Sequence, residues 1–272
     1  MLVKKIARIL ILGVLFIACE DPIDVDLETS EPRLVVDAII GYNFNDGEPV
    51  TAGEVKLTLT APFFDQEVPA AENATVLLRD ETTEETYPLQ ENEPGIFREG
   101  IPDLEFNRAY SLIITYNNET YTATTQLMRS GTIESVTQGD GFLIDEEEET
   151  EVIISFKDVV GERNYYLFAF GFNNFLVSDD EYYMDNGLTF SYYYEEVEPG
   201  DLLTITLLGI DKDFAAYTEQ ILTQSGENGG GGGFGVAPAN VRGNLYNTTN
   251  PENYALGYFA LSETDIALIR IE

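Results

Sequence analysis

From Arg33 onward apolar and polar residues alternate in short runs, the period of strands that bury one face. Leu34-Val35-Val36-Asp37-Ala38-Ile39-Ile40 is a β-rich run that ends in the turn-forming stretch from Gly41 to Pro49. Glu54-Val55-Lys56-Leu57-Thr58-Leu59 alternates residue by residue. Ala74 to Arg79 and Thr86 to Leu89 flank the acidic connection Asp80 to Glu85, a pattern that predicts a hairpin with a solvated tip. Tyr110, Leu112, Ile114 and Tyr116 share one strand face, and Tyr121 and Ala123 continue after Asn117-Asn118, a pair that tolerates the positive φ of a tight hairpin. Short strands at near-regular spacing, with no helical stretch, predict a small β-sandwich over about 33–128.

Ser130-Gly131 marks a boundary, and a second β-rich set follows at Ile133 to Val136, Glu151 to Phe156, Asn164 to Phe172, Thr189 to Tyr194 and Leu202 to Ile210. The run Asp145 to Glu149 predicts a solvated loop. Tyr165 to Phe172 carries large residues on both faces, as a strand covered on two sides does. One helix is predicted near 211–224: Asp211 is a suitable N-cap, and Phe214, Tyr217, Ile221 and Leu222 form an apolar stripe. A glycine-rich loop follows at 226–235, and Ala255 to Leu261 and Ile266 to Ile271 are expected as two closing strands. The expected fold is mostly β, with one domain over 33–130 and a second, helix-bearing one over 131–272.

The first residues follow a different pattern. Lys4, Lys5 and Arg8 precede an apolar run from Ile9 to Ile17, then Ala18 and the single cysteine, Cys19. That order is a secretory signal over 1–18 with a small-residue cleavage site, and its apolar run is about half the ~20 residues a spanning helix needs. Phe16-Ile17-Ala18-Cys19 resembles a bacterial lipobox, in which the thiol is diacylated and the chain cut before it. A lone cysteine in an exported chain has no partner for an intramolecular disulfide, so acylation gives Cys19 a use. The alternative is a cleaved signal that ends near a buried cysteine. Residues 19–32 are acidic, hold two prolines and lack periodicity, which predicts a flexible tether.

Charge narrows the partners. The 272 residues contain 14 Lys+Arg against 49 Asp+Glu, a formal net charge of −35. Nucleic acid and anionic lipid headgroups both require a basic surface and are not expected as ligands; the membrane is reached through acylated Cys19 instead. Histidine is absent, which removes the usual general base, the commonest metal ligand and every Ser-His-Asp or Cys-His arrangement. No catalytic residues and no cofactor are therefore expected, and no carboxylate pair is marked out for acid–base work.

Three constellations remain. The glycines at 229–233 lack the strand-to-helix order and the lysine of a phosphate loop, so Gly231 and Phe234 are candidates for a contact loop or lid. Asp179, Asp180, Glu181 and Asp185 are weak candidates for Ca²⁺, without the signature of a dedicated calcium loop. Tyr182, Tyr183, Tyr192 and Tyr194 are the more specific feature of this chain. Exposed tyrosines suit sugar stacking or a protein interface, while the plainer alternative is a buried ring whose hydroxyl reaches solvent.

Several short stretches carry a resemblance: Cys19-Glu20-Asp21-Pro22-Ile23-Asp24-Val25-Asp26, Leu34-Val35-Val36-Asp37-Ala38, Leu57-Thr58-Leu59-Thr60-Ala61-Pro62-Phe63-Phe64, Asn73-Ala74-Thr75-Val76, Pro94-Gly95-Ile96-Phe97, Asn240-Val241-Arg242-Gly243-Asn244 and Leu256-Gly257-Tyr258-Phe259. Over nearly its full length the chain resembles a family of Bacteroidota outer-membrane lipoproteins that is described only as a domain of unknown function and found beside TonB-dependent transporters. The acids after Cys19 also resemble the export signal of Bacteroidota surface lipoproteins. The resemblance implies an immunoglobulin-like β-sandwich over 33–130, a cell-surface-facing location in the outer membrane and partnership with a transporter barrel. The expected function is an accessory or ligand-binding subunit in nutrient uptake, and not an enzyme. The alternatives are a structural or adhesive surface lipoprotein and a carboxylate-dependent hydrolase.

Overall fold

The computed structural model describes residues 31–43, 50–62, 67–144, 149–195, 197–225 and 241–272; Cys19, Gly231 and Phe234 lie outside them. The chain is mostly β. Its first strands are β1 (Leu34–Asn43), β2 (Val50–Gly53), β3 (Val55–Leu59), β4 (Thr75–Asp80), β5 (Thr86–Pro88), β6 (Gln90–Glu93), β7 (Ile96–Glu99), β8 (Ala109–Tyr116) and β9 (Glu119–Met128). Then come β10 (Thr132–Gln138), β11 (Glu149–Lys157), β12 (Tyr165–Ala169), β13 (Phe175–Asp179), a 3-10 turn (Asp180–Tyr182), β14 (Leu188–Glu195), β15 (Leu202–Ile210), the helix α1 (Lys212–Ser225), β16 (Tyr246–Asn247) and β17 (Leu256–Arg270).

Alternation sets the first core. Leu34, Val36, Ala38 and Ile40 of β1 pack with Val55, Leu57, Val76, Leu78, Leu112 and Ile114, all of them buried. The strand order runs β5-β4-β8-β9-β17-β1-β3-β7-β6. Its two ends, β5 and β6, are joined by the single residue Leu89, whose N–H donates to the Val76 carbonyl at 2.9 Å. The path thus returns on itself in a barrel-like way. Asn117 and Asn118 take φ of 48° and 64° in the β8–β9 hairpin, the left-handed pair of a tight turn. Asp80 differs from the expected solvated tip: it is buried, accepting the N–H groups of Thr82 and Thr83 and a 3.0 Å bond from Arg108.

The closing strands differ from expectation too. Ala255 to Leu261 and Ile266 to Ile271 are not two strands; a single 15-residue strand, β17, spans nearly all of both. It pairs in parallel with β1 over Leu256 to Glu263 and antiparallel with β15 over Thr264 to Arg270. The polar stretch Ser262-Glu263-Thr264-Asp265, which reads as a break, is the place where the strand changes partners. Glu263 accepts the Ser130 N–H at 3.0 Å and Asp265 the Ile133 N–H at 2.7 Å, so these carboxylates fix the chain as it enters β10. Pro32–Glu272 forms one compact unit.

The second core is layered. β12 lies between β13 and β15. One face of β12, Tyr166 and Phe168, packs with Phe170 against Val152, Ile154 and Phe156 of β11 and Tyr194 of β14. Its other face, Leu167, packs with Phe214 and Ala215 of α1 and with Tyr258 and Ala260 of β17. Asp211 caps the helix, accepting the Phe214 N–H at 2.7 Å. Ile221, expected in the apolar stripe, stays exposed. Among the described residues no helix is long and apolar enough to cross a membrane.

Candidate functional site

The layer between β12 and the three-stranded sheet β10-β11-β14 is built of rings. Phe156 and Phe190 meet Phe168 edge to face, each with centroids 5.1 Å apart, the arrangement the ring quadrupole favours. At one end of the layer the geometry changes: Phe170 and Tyr192 stack in parallel at 3.9 Å, and Tyr194, buried, donates its hydroxyl to the Phe170 carbonyl at 3.0 Å. Beyond these rings the layer opens into a cleft of about 500 Å³ lined by Phe172, Asn174, Tyr192, Tyr193, Tyr194 and Glu195. Ligand pockets span ~300–1,000 Å³.

The turn between β12 and β13 makes one wall. Its ends are tied by the Phe170 N–H on the Asn174 carbonyl and the Asn174 N–H on the Gly171 carbonyl, both at 2.9 Å. Three consecutive residues take positive φ: Gly171 (77°), Phe172 (51°) and Asn173 (61°). Glycine and asparagine adopt that region readily, whereas an ordinary side chain there costs ~1–2 kcal/mol. Phe172 is also 71% exposed, so burial of its ring does not offset the strain. Phe172 is thus an aromatic side chain held in a costly backbone conformation and turned to solvent at the rim of the cleft.

β14 makes the other wall. Burial first, then the Glu195 carboxylate, pushes the Tyr192 hydroxyl above its ordinary value; burial does the same to Tyr194. Both phenols are therefore neutral donors at physiological pH. Next to the cleft, Tyr193 points its hydroxyl toward Glu151, which also accepts from Ser191 at 2.5 Å and from the Gly141 N–H at 2.8 Å. These bonds, Ser191 foremost, hold the Glu151 carboxyl below the usual range.

Of the tyrosines singled out in the sequence, Tyr192 and Tyr194 line the cleft and Tyr182 and Tyr183 do not. Tyr182 stands 92% exposed on the 3-10 turn. Tyr183 packs its edge against Phe156 at 5.5 Å and shares a 2.7 Å hydrogen bond with Ser178. Tyr193, the middle residue of the Tyr192-Tyr193-Tyr194 stretch, lines the cleft as well. The residues that sequence reasoning missed are Phe172, Asn174 and Glu195. For the first two the signal was the run Gly171-Phe172-Asn173-Asn174, a turn composition between aromatic strands.

The acids of the 179–185 segment serve the loop that carries them. Asp179 and Glu181 clasp Arg163, and Asp185 accepts the Gly161 N–H at 2.7 Å. Asp180 is buried, with the Asn164 N–H on Oδ2 at 2.8 Å and no hydrogen-bond partner on Oδ1. Among the described residues no three His, Cys, Asp or Glu side chains are placed to hold a metal ion. The buried acids there, Asp80, Asp158 and Asp180, each bind turn N–H groups, and none lines the cleft.

Residues 20–265 match the family model described as "Domain of unknown function (DUF4249)". No curated protein matches the chain. Among solved structures, it is similar to a DUF4785 family protein from Legionella pneumophila subsp. pneumophila str. Philadelphia 1, with 8% identity and a TM-score of 0.23 over 65% of this chain and 52% of that one. The match thus spans about half the length of that protein.

Proposed function

The chain belongs to the DUF4249 family, a domain of unknown function, and we propose that it is a lipid-anchored binding protein of the Bacteroidota outer-membrane surface, an accessory subunit that presents a ligand to a TonB-dependent transporter. The observation that carries the binding role is the cleft, with a strained and exposed Phe172 at its rim. The address rests on the sequence: a signal over 1–18, an acylated Cys19 and an acidic tether to residue 32. A diacylated cysteine supplies the two hydrophobic signals that stable anchoring needs. Residues 33–130 would be the platform, an immunoglobulin-like sandwich in this proposal, supported by the antiparallel pairing of β4 with β8 and of β8 with β9.

The test is a pull-down from detergent-solubilised outer membranes with the tagged protein beside a Cys19→Ala control. A transporter barrel recovered in near-stoichiometric amount with the lipidated form alone is the expected result. Recovery of the lipidated protein without a barrel would overturn the accessory role and favour an adhesive one.

A further inference from the structure

β14 pairs with β11 along its whole length, from Glu195 opposite Glu149 to Leu188 opposite Phe156. Among the described residues no strand pairs with its other edge. Four successive residues of this strand, Tyr192, Tyr193, Tyr194 and Glu195, line the cleft. Successive side chains of a strand point to opposite faces, so a cavity touching four in a row lies along the strand's edge and not over one face. Such an edge carries main-chain N–H and C=O groups without a strand partner, the template on which another strand forms. The far wall is the β12–β13 turn, with Phe172 and Asn174.

We infer that the cleft takes an extended peptide segment bearing basic side chains, which adds to β14 as the fourth strand of the β10-β11-β14 sheet. The inference rests on the cleft being a binding site, as proposed above, and names its ligand class. In strand addition the main chain supplies affinity and alternate side chains supply selectivity. The selectivity here is for positive charge. Glu195 lines the cleft and lies across the strand pair from Glu149, no Lys or Arg is among the lining residues, and the whole chain carries −35; a cationic peptide is drawn in and an anionic one repelled. The rings leave a sugar less to stack on: Tyr192 already has one face against Phe170, and Tyr194 is buried.

The test is fluorescence anisotropy with a labelled, end-capped hexapeptide that alternates Lys with Val or Thr. Three comparisons accompany it: the same peptide with Glu for Lys, an analogue N-methylated at alternate residues, and a panel of neutral oligosaccharides. Binding of the Lys peptide is expected, weakened about tenfold or more by the Glu exchange or by N-methylation of one edge. Glu195→Lys on the protein, an exposed position where folding is not at stake, is expected to reduce the preference for Lys. Equal binding of Lys and Glu peptides, or indifference to N-methylation, would overturn strand addition. An oligosaccharide that binds in a Phe172-dependent way, with no peptide binding, would overturn the peptide while keeping the cleft. If no ligand in the panel responds to Phe172→Gly, both the peptide and the cleft as its site are overturned.

Discussion

Phe172 concentrates the argument at the scale of single residues. Its left-handed backbone costs ~1–2 kcal/mol, and glycine at the same place returns that strain minus ~0.5–1 kcal/mol of added chain entropy. Phe172→Gly is therefore expected to stabilise the fold by up to about 1.5 kcal/mol in urea unfolding while weakening ligand binding; a loss of stability would mean that the ring is held by packing. Asp180 yields a second prediction. Burial first, then the nearby Asp158 and Asp179 charges, raises its carboxyl above the ordinary 3.8, and the Asn164 N–H offsets this only in part. A raised acid favours the folded state while protonated, so its contribution is present below the unfolded value and is lost as pH rises through the folded one. Asp180→Asn removes that charge and is expected to stabilise the protein at about pH 8 more than at about pH 4; an equal effect at both, measured by urea midpoint, would place the cause elsewhere. Tyr192 and Tyr194 were legible in the sequence because strand alternation assigns them to one face. Phe172 was not, because a bulky aromatic is a poor turn residue and its presence in one reflects the site, not the local propensity.

At the scale of elements, the helix and the Asn117-Asn118 hairpin could be read in advance because each has a local cause: a capping Asp211 with a periodic stripe, and two residues that accept positive φ. β17 could not, because its continuity is a long-range fact. Ser262 to Asp265 look like a loop by composition, yet the strand continues through them from β1 to β15, and Glu263 and Asp265 bind main-chain N–H groups near residue 130. The same crossing fixes Gly209. A Cβ there would stand 1.9 Å from the Arg129 carbonyl oxygen and 2.7 Å from the Ser130 nitrogen, and both are backbone atoms that cannot rotate away. Gly209→Ala is expected to cost about 2–3 kcal/mol, with loss of protection in β10 by hydrogen exchange. A substitution within about 0.5 kcal/mol of wild type would show that the crossing is loose.

For the whole molecule, sequence and structure inform different halves of the account. The proposed address, from the basic start through Cys19 to the acidic tether, rests on sequence. The cleft is a matter of topology: its walls come from a turn near residue 172 and a strand end near residue 195, which the layering of β12 on β14 brings together. The strong negative charge belongs to both, since on the proposed reading it disfavours nucleic acid and selects for positive charge beside Glu195. The most direct measurement places a benzophenone side chain at position 172 and, as a control, at the exposed Tyr246 on β16, and illuminates the full-length protein in intact cells. If the cleft is the working site, position 172 yields a discrete adduct that an excess of the Lys peptide suppresses and that position 246 does not form. No adduct at 172, or the same adducts from both positions, would contradict the claim that the protein functions through this cleft.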